Sequence, residues 1–149
     1  MPPSPTLTTK LNEQVWHRLC AELGLNPDAI PVYFKKTKGQ GGRFSGMYIH
    51  TPVGCRIEVY TGWDDYERDR LMSVSNELGR VVLHEARHAW QYRNWTRNQL
   101  DDVVAKEEDA IEFEDQLANY RTLVIVRRHQ HNSPFSRLGA AQARVRQSL

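Results

Sequence analysis

His84-Glu85-Ala86-Arg87-His88 reads H-E-x-x-H inside a stretch with helical periodicity. Leu78, Val81, Val82 and Leu83 precede it and Ala89, Trp90 and Tyr92 follow, a sequence too apolar for a helix lying on the surface. The chain must therefore fold around a central helix, which the pattern predicts over about 74–93. Ser73 or Ser75 can cap its start, Glu77 falls in the first turn, and Arg93 suits the dipole at its end. On such a helix residues four apart stand one above the other, so both imidazoles can meet one metal ion. Glu85 follows His84 by about 100° of rotation, which sets its carboxylate beside the ion rather than on it. Two ligands and a base for a metal-bound water are what a zinc hydrolase requires.

The bulk properties narrow the class. A chain of 149 residues, 40% hydrophobic and 26% charged, supports one domain with one core. Its net charge of +2 names no partner. No apolar run reaches membrane-spanning length, and 1–6 lack the basic-then-apolar pattern of a signal peptide. Cys20 and Cys55 lack zinc-ligand spacing and read as reduced thiols, which points to a cytoplasmic setting.

Residues 1–8 read as a disordered Pro/Thr tail, 9–131 as a single domain, and 132–149 as a basic C-terminal tail. Leu11, Val15, Trp16, Leu19 and Leu23 predict an N-terminal helix over 9–23, with Gly24 as its cap and a short turn at Asn26-Pro27. Three strands are expected near 31–34, 44–50 and 55–60, the last two paired antiparallel across the 51–54 turn. The Gly-rich, basic stretch 35–43 reads as a hairpin loop, since a phosphate cradle would open a helix. After a polar connection, Asp101 or Asp102 caps a second long helix over 102–129. The fold class is thus α+β, with a small, mainly antiparallel sheet.

A catalytic zinc takes a third protein ligand and keeps an open position. Gln91 and Asn94 occupy the places three and six residues past His88, so the continuation with Gly and a third His is absent. His129 and His131 lie in a basic, polar segment and read as surface residues. Glu107, Glu108, Glu112 and Glu114 on the next helix remain. Helical phase puts Glu107 on a face shared with Val103, Val104, Ala110 and Ile111, and Glu108 more to the side. A carboxylate on a buried apolar face is costly unless paired or metal-bound, which favours Glu107.

Strand, strand, H-E-x-x-H helix and a Glu-bearing helix in this order resemble the gluzincin metallopeptidases. The likeness is to their minimal single-domain members and to the related repressor-cleaving metallopeptidases of prokaryotes and their viruses, and it covers about residues 30–120. In those families the third ligand is a Glu followed three residues later by a small residue and then by an aromatic. Glu107, Ala110 and Phe113 match, although Ile111 replaces the usual Asn and no helix-turn-helix is evident. The resemblance implies a zincin-like fold, Zn²⁺ held by His84, His88 and Glu107, and peptide hydrolysis by a zinc-bound water that Glu85 activates. It also implies a peptide or protein substrate lying along an edge strand, for which 44–50 is the candidate. Tyr92, Tyr120, Arg121 and His129 are candidates for a second oxyanion donor, and Asp109 or Glu114 for orienting the histidines. The alternative is a zinc-binding regulatory module without catalysis. Its basic tail, with Arg127, Arg128, Arg137, Arg144 and Arg146, could touch nucleic acid, though so few charges without aromatics fit a solvated tail better.

Overall fold

Threonines alternating near the start favour an extended chain, and in the computed structural model Thr6–Leu11 forms strand β1. Residues 6–37, 44–62 and 71–129 are described. The chain is α+β, with four α-helices and two small sheets among these residues. The N-terminal assignment is corrected: Thr6–Thr8 belong to β1 rather than to a tail, and helix α1 spans Glu13–Leu23. Asn12 caps α1 by accepting from the Val15 N–H at 3.5 Å, and Gly24, at φ 69°, closes it. Trp16, Leu19 and Cys20 form its buried stripe.

Three strands make the second sheet: β2 (Val32–Lys35), β3 (Ser45–Thr51) and β4 (Gly54–Tyr60). β3 and β4 pair antiparallel around the 51–54 turn, as expected. β2, however, runs parallel to β4, and the order is β2-β4-β3. A hairpin between β2 and β3 is therefore ruled out, and residues 38–43 of that loop lie outside the described part. The order has a physical reason. β4 carries Ile57 and Val59, both fully buried, and the central position gives it neighbours on both sides. β3 is left at the edge.

Helix α2, Leu71–Asn94, is the spine of the molecule. It carries the five-residue motif, and Leu78, Val82, Leu83, Ala86 and Ala89 bury its inner face against β4, α1 and Leu123. Ser73 and Ser75 lie within it and are not its caps. Ser75 Oγ instead donates to the Val124 carbonyl. The connection after α2 holds a short helix α3, Arg97–Asp101, with a Thr96/Gln99 capping box.

The long helix expected over 102–129 is the second correction. Asp102 caps α4, Val103–Phe113, as expected, but α4 then tightens into a 3₁₀ turn, Glu114–Asn119. Val124–His129 leaves as strand β5 and pairs antiparallel with β1. No Gly or Pro marks the end of α4, so propensity alone would carry the helix on. The β-branched run Val124-Ile125-Val126 instead gains a partner strand from a segment more than a hundred residues away. Residues 1–5 and the basic tail 132–149 lie outside the described part. No helix among the described residues is long and apolar enough to cross a membrane.

Candidate metal centre

His84, Glu85 and His88 come together on the face of α2 that meets β3 and α4, with one ligand atom of each within 4.8 Å of the others. The imidazoles meet edge to face, ring centroids 4.7 Å apart. Their Nε2 atoms converge on one carboxylate across the gap: Glu107 Oε2 lies 3.0 Å from His84 Nε2 and Glu107 Oε1 3.1 Å from His88 Nε2. Ligands of a tetrahedral zinc stand about 3.3 Å apart, given metal–ligand bonds of about 2.0–2.1 Å. The distances from Glu107 to the two Nε2 atoms are thus of the size that separates ligands of one ion. Glu85 is also close; its carboxylate is largely buried and accepts from the Tyr48 backbone N–H on β3.

Helix α4 has no apolar core face at Glu107, contrary to what helical phase predicts. Val103, Val104 and Ile111 are exposed, and only Ala110 on α4 is buried. Glu107 itself is 48% exposed. It faces the histidines because α4 packs across α2, not because it shares a core face. Glu108 and Glu112 are exposed, and the hydrogen bonds and ion pairs described at the two histidines go to Glu107, Glu114 and Gln91.

Behind each imidazole stands a partner that fixes its free nitrogen. His84 Nδ1 lies 3.3 Å from Glu114 Oε2. His88 Nδ1 lies 2.8 Å from Gln91 Oε1. Gln91 is fully buried, and its amide nitrogen donates to Asp109 Oδ2 at 2.8 Å and to the Lys106 carbonyl at 3.0 Å. With both amide protons spent on acceptors, Oε1 must accept, so His88 carries its proton on Nδ1 and offers Nε2 to a metal. Asp109 is gripped in turn by Arg87, whose Nε and Nη2 donate at 2.8 and 3.2 Å. The Arg87 guanidinium lies over the Trp90 ring, 3.7 Å from its centroid. Burial alone would raise the Asp109 carboxyl, but bonds from Arg87 and Gln91 outweigh it and hold it below its ordinary range. Arg87 thus locks α4 to α2 at the level of the histidines. Sequence reasoning missed Gln91, whose signal was an amide one turn past His88 on an apolar helix.

The two histidines differ in charge preference. Burial opposes the His84 cation, yet Glu114, Glu85 and Glu107 together win and raise its pKa. Burial lowers that of His88, and the amide of Gln91 and the Glu107 charge do not compensate. Metal binding displaces a proton from Nε2 and so is the more direct at His88.

A cleft of about 240 Å³ opens in front of the pair, lined by Gly46, Met47, Tyr48, Glu85, His88, Tyr92, Lys106 and Glu107. Of the oxyanion candidates whose side chains are described, only Tyr92 is among the residues that line it. Tyr120 is buried against α1, where its hydroxyl donates to Glu22, and Arg121 lines a separate cavity beside Arg80. The His129 side chain lies outside the described part.

No family model, curated protein or solved structure matches the chain. The site is therefore judged on its own donors. Glu85 is 5% exposed, and its Oε2 has no hydrogen-bond partner among the described residues. Burial, opposed by His84 and by the Tyr48 backbone N–H, pushes this carboxyl up to about 7. An orphaned carboxylate oxygen beside two oriented imidazoles and a second carboxylate fits a bound cation with a polarised water.

Burial of Glu85 gives a pH signature in the metal-free protein. Its carboxyl titrates near 4.5 when unfolded and near 7 when folded. Between these values the folded state holds the proton that the unfolded state has lost, so stability falls as pH rises, by roughly 3 kcal/mol across the window. Glu85→Gln lacks this loss. In chelator, its melting temperature should gain on the parent's from pH 5 to pH 7 and level off above that; a constant difference would show that Glu85 is not held this way.

Gly46 decides how closely β3 and α2 approach. A Cβ there would stand 2.7 Å from Val81 Cγ1, 2.9 Å from Glu85 Cγ and 3.0 Å from the Glu58 carbonyl oxygen. Gly46→Ala should cost about 1–3 kcal/mol, read as a lower denaturation midpoint, because the backbone oxygen cannot yield. It should also displace Glu85.

Proposed function

We propose that the chain is a zinc-dependent peptidase of gluzincin type, with a zincin-like arrangement of edge strand, motif helix and Glu-bearing helix. One observation carries this reading: His84 and His88 Nε2 converge on Glu107 beside the buried, unpartnered Glu85. His84, His88 and Glu107 would hold the ion. Zinc at these residues supplies a Lewis acid that polarises a carbonyl and makes water acidic enough to ionise near pH 7.

The chain's own residues supply the rest. Glu85 accepts a proton from the attacking water and returns it to the leaving amine, a role suited to a carboxyl titrating near neutrality. Gln91 and Glu114 keep Nε2 of each histidine turned to the cleft. Among the described residues β3 pairs with β4 alone, and its Gly46, Met47 and Tyr48 line the cleft, where the main chain of an extended peptide can add as a further strand. A reducing, cytoplasmic setting belongs to the same proposal. It is supported by the two free thiols, of which Cys20 is pushed up to about 12 by burial and is inert.

Purified protein should contain about one zinc per chain, as a single three-ligand site implies, and should cleave unfolded protein or peptides in a chelator-sensitive way. Zinc bound with no hydrolysis of any substrate would favour the regulatory zinc module instead.

A further inference from the structure

A second cavity, of about 540 Å³, shares no lining residue with the metal cleft. Asn76 and Arg80 line it from α2, Asp115 and Leu117 from the 3₁₀ turn, and Arg121 and Thr122 from the bend before β5. Gly79 on α2 leaves room for Leu117, since a Cβ there would stand 2.9 Å from Leu117 Cδ1. The bend is strained. The Leu123 N–H donates to the Tyr120 carbonyl at 3.1 Å and closes a turn with Arg121 and Thr122 at its corner. Thr122 stands at φ 63°, an outlying conformation for a β-branched residue, and Asn12 Nδ2 donates to its Oγ1 at 3.2 Å. Such strain persists where the surroundings impose it, and here it fixes the corner that carries Arg121. Among the described residues neither the Arg80 nor the Arg121 guanidinium has an ion-pair or hydrogen-bond partner, although Asp115 lines the same wall.

We propose that this cavity binds a small organic anion, a carboxylate or phosphate head on a compact apolar body, through Arg80 and Arg121. Its volume is that of a small-molecule site. Each guanidinium offers a planar fork of N–H donors that matches two oxygens of either head. Both arginines are exposed, so the head lies at the mouth. The body lies inward against half-buried Leu117, with Met72 at the rim. Asp115 is the one acidic residue in the lining, and two cations against it leave the wall net positive. Its carboxylate opposes a second anionic head and can accept from a hydroxyl or N–H on the ligand, as can the Asn76 amide oxygen. The site needs neither the metal nor the peptidase reading.

The test titrates the full chain, in chelator and at constant ionic strength, so that no anion sits on a metal and screening is equal throughout. The probes are phenyl phosphate, benzoate, inorganic phosphate, acetate and benzylamine, followed by calorimetry. Phenyl phosphate or benzoate should saturate with a Kd below about 1 mM, and the tighter of the two names the head. Inorganic phosphate and acetate, which lack the ring, should bind at least about 5-fold more weakly than their aromatic counterparts. Benzylamine should not bind. Arg80→Ala or Arg121→Ala, both at exposed positions, should weaken the aromatic anion by at least about 10-fold, the size of a lost charge-assisted hydrogen bond. Failure of both aromatic anions to saturate, equal affinity for the ring-free anions or for benzylamine, or an unchanged Kd in both arginine variants overturns the site. None of these results bears on zinc binding or hydrolysis at the metal cleft.

Discussion

Glu85→Gln should leave zinc in place and lower kcat by about 10²–10⁴-fold, the range of a lost general base. The substitution keeps the shape of a side chain enclosed between α2 and β3 but cannot accept a proton. None of the ligand atoms proposed for the metal is touched, so zinc content measured on the purified variant should match the parent. Retained hydrolysis would sink the mechanism. Loss of zinc together with activity would instead make Glu85 a ligand, the assignment its closeness to both histidines also allows.

The second large effect concerns Glu107. Removing its carboxylate by Glu107→Ala takes away the one group that both Nε2 atoms face. Zinc affinity, measured by competition with a chelator, should fall by more than about 100-fold, beyond the 10–100-fold typical of a partner behind a ligand. Gln91→Ala belongs to that smaller class, because it frees the His88 ring without removing a ligand atom. Glu108→Ala and Glu112→Ala, both at exposed positions, should bind zinc as the parent does. If Glu108→Ala lost the metal, the third-ligand assignment would pass to it.

The motif helix, its apolar flanks and the β3–β4 turn were legible because each is a local pattern: period 3.6, period 2, and Pro with Gly in a turn. The end of α4 was not. Glu114 to Tyr120 contains no stop signal, and the short apolar run after it fits a helix as well as a strand. Pairing of β5 with β1 resolved it, and that pairing joins opposite ends of the chain. β2 failed for a related reason. A loop rich in glycine suggested a hairpin, whereas burial of Ile57 and Val59 put β4 between the other two strands.

His84-Glu85-Ala86-Arg87-His88 by itself determined that two imidazoles and a carboxylate would share one stretch of a largely buried helix, because helical spacing leaves them no other arrangement. Only the tertiary structure gave the five residues their full set of partners. Ala86 packs in the core, Arg87 grips Asp109, and Gly46 lets β3 close over Glu85. α4 brings Glu107 to the histidines from an otherwise exposed face, a contact that no periodicity along α4 could reveal. Spacing along one helix fixes angles about its own axis; which neighbour fills the open side depends on how separate segments pack, and that is set by burial summed over the whole chain.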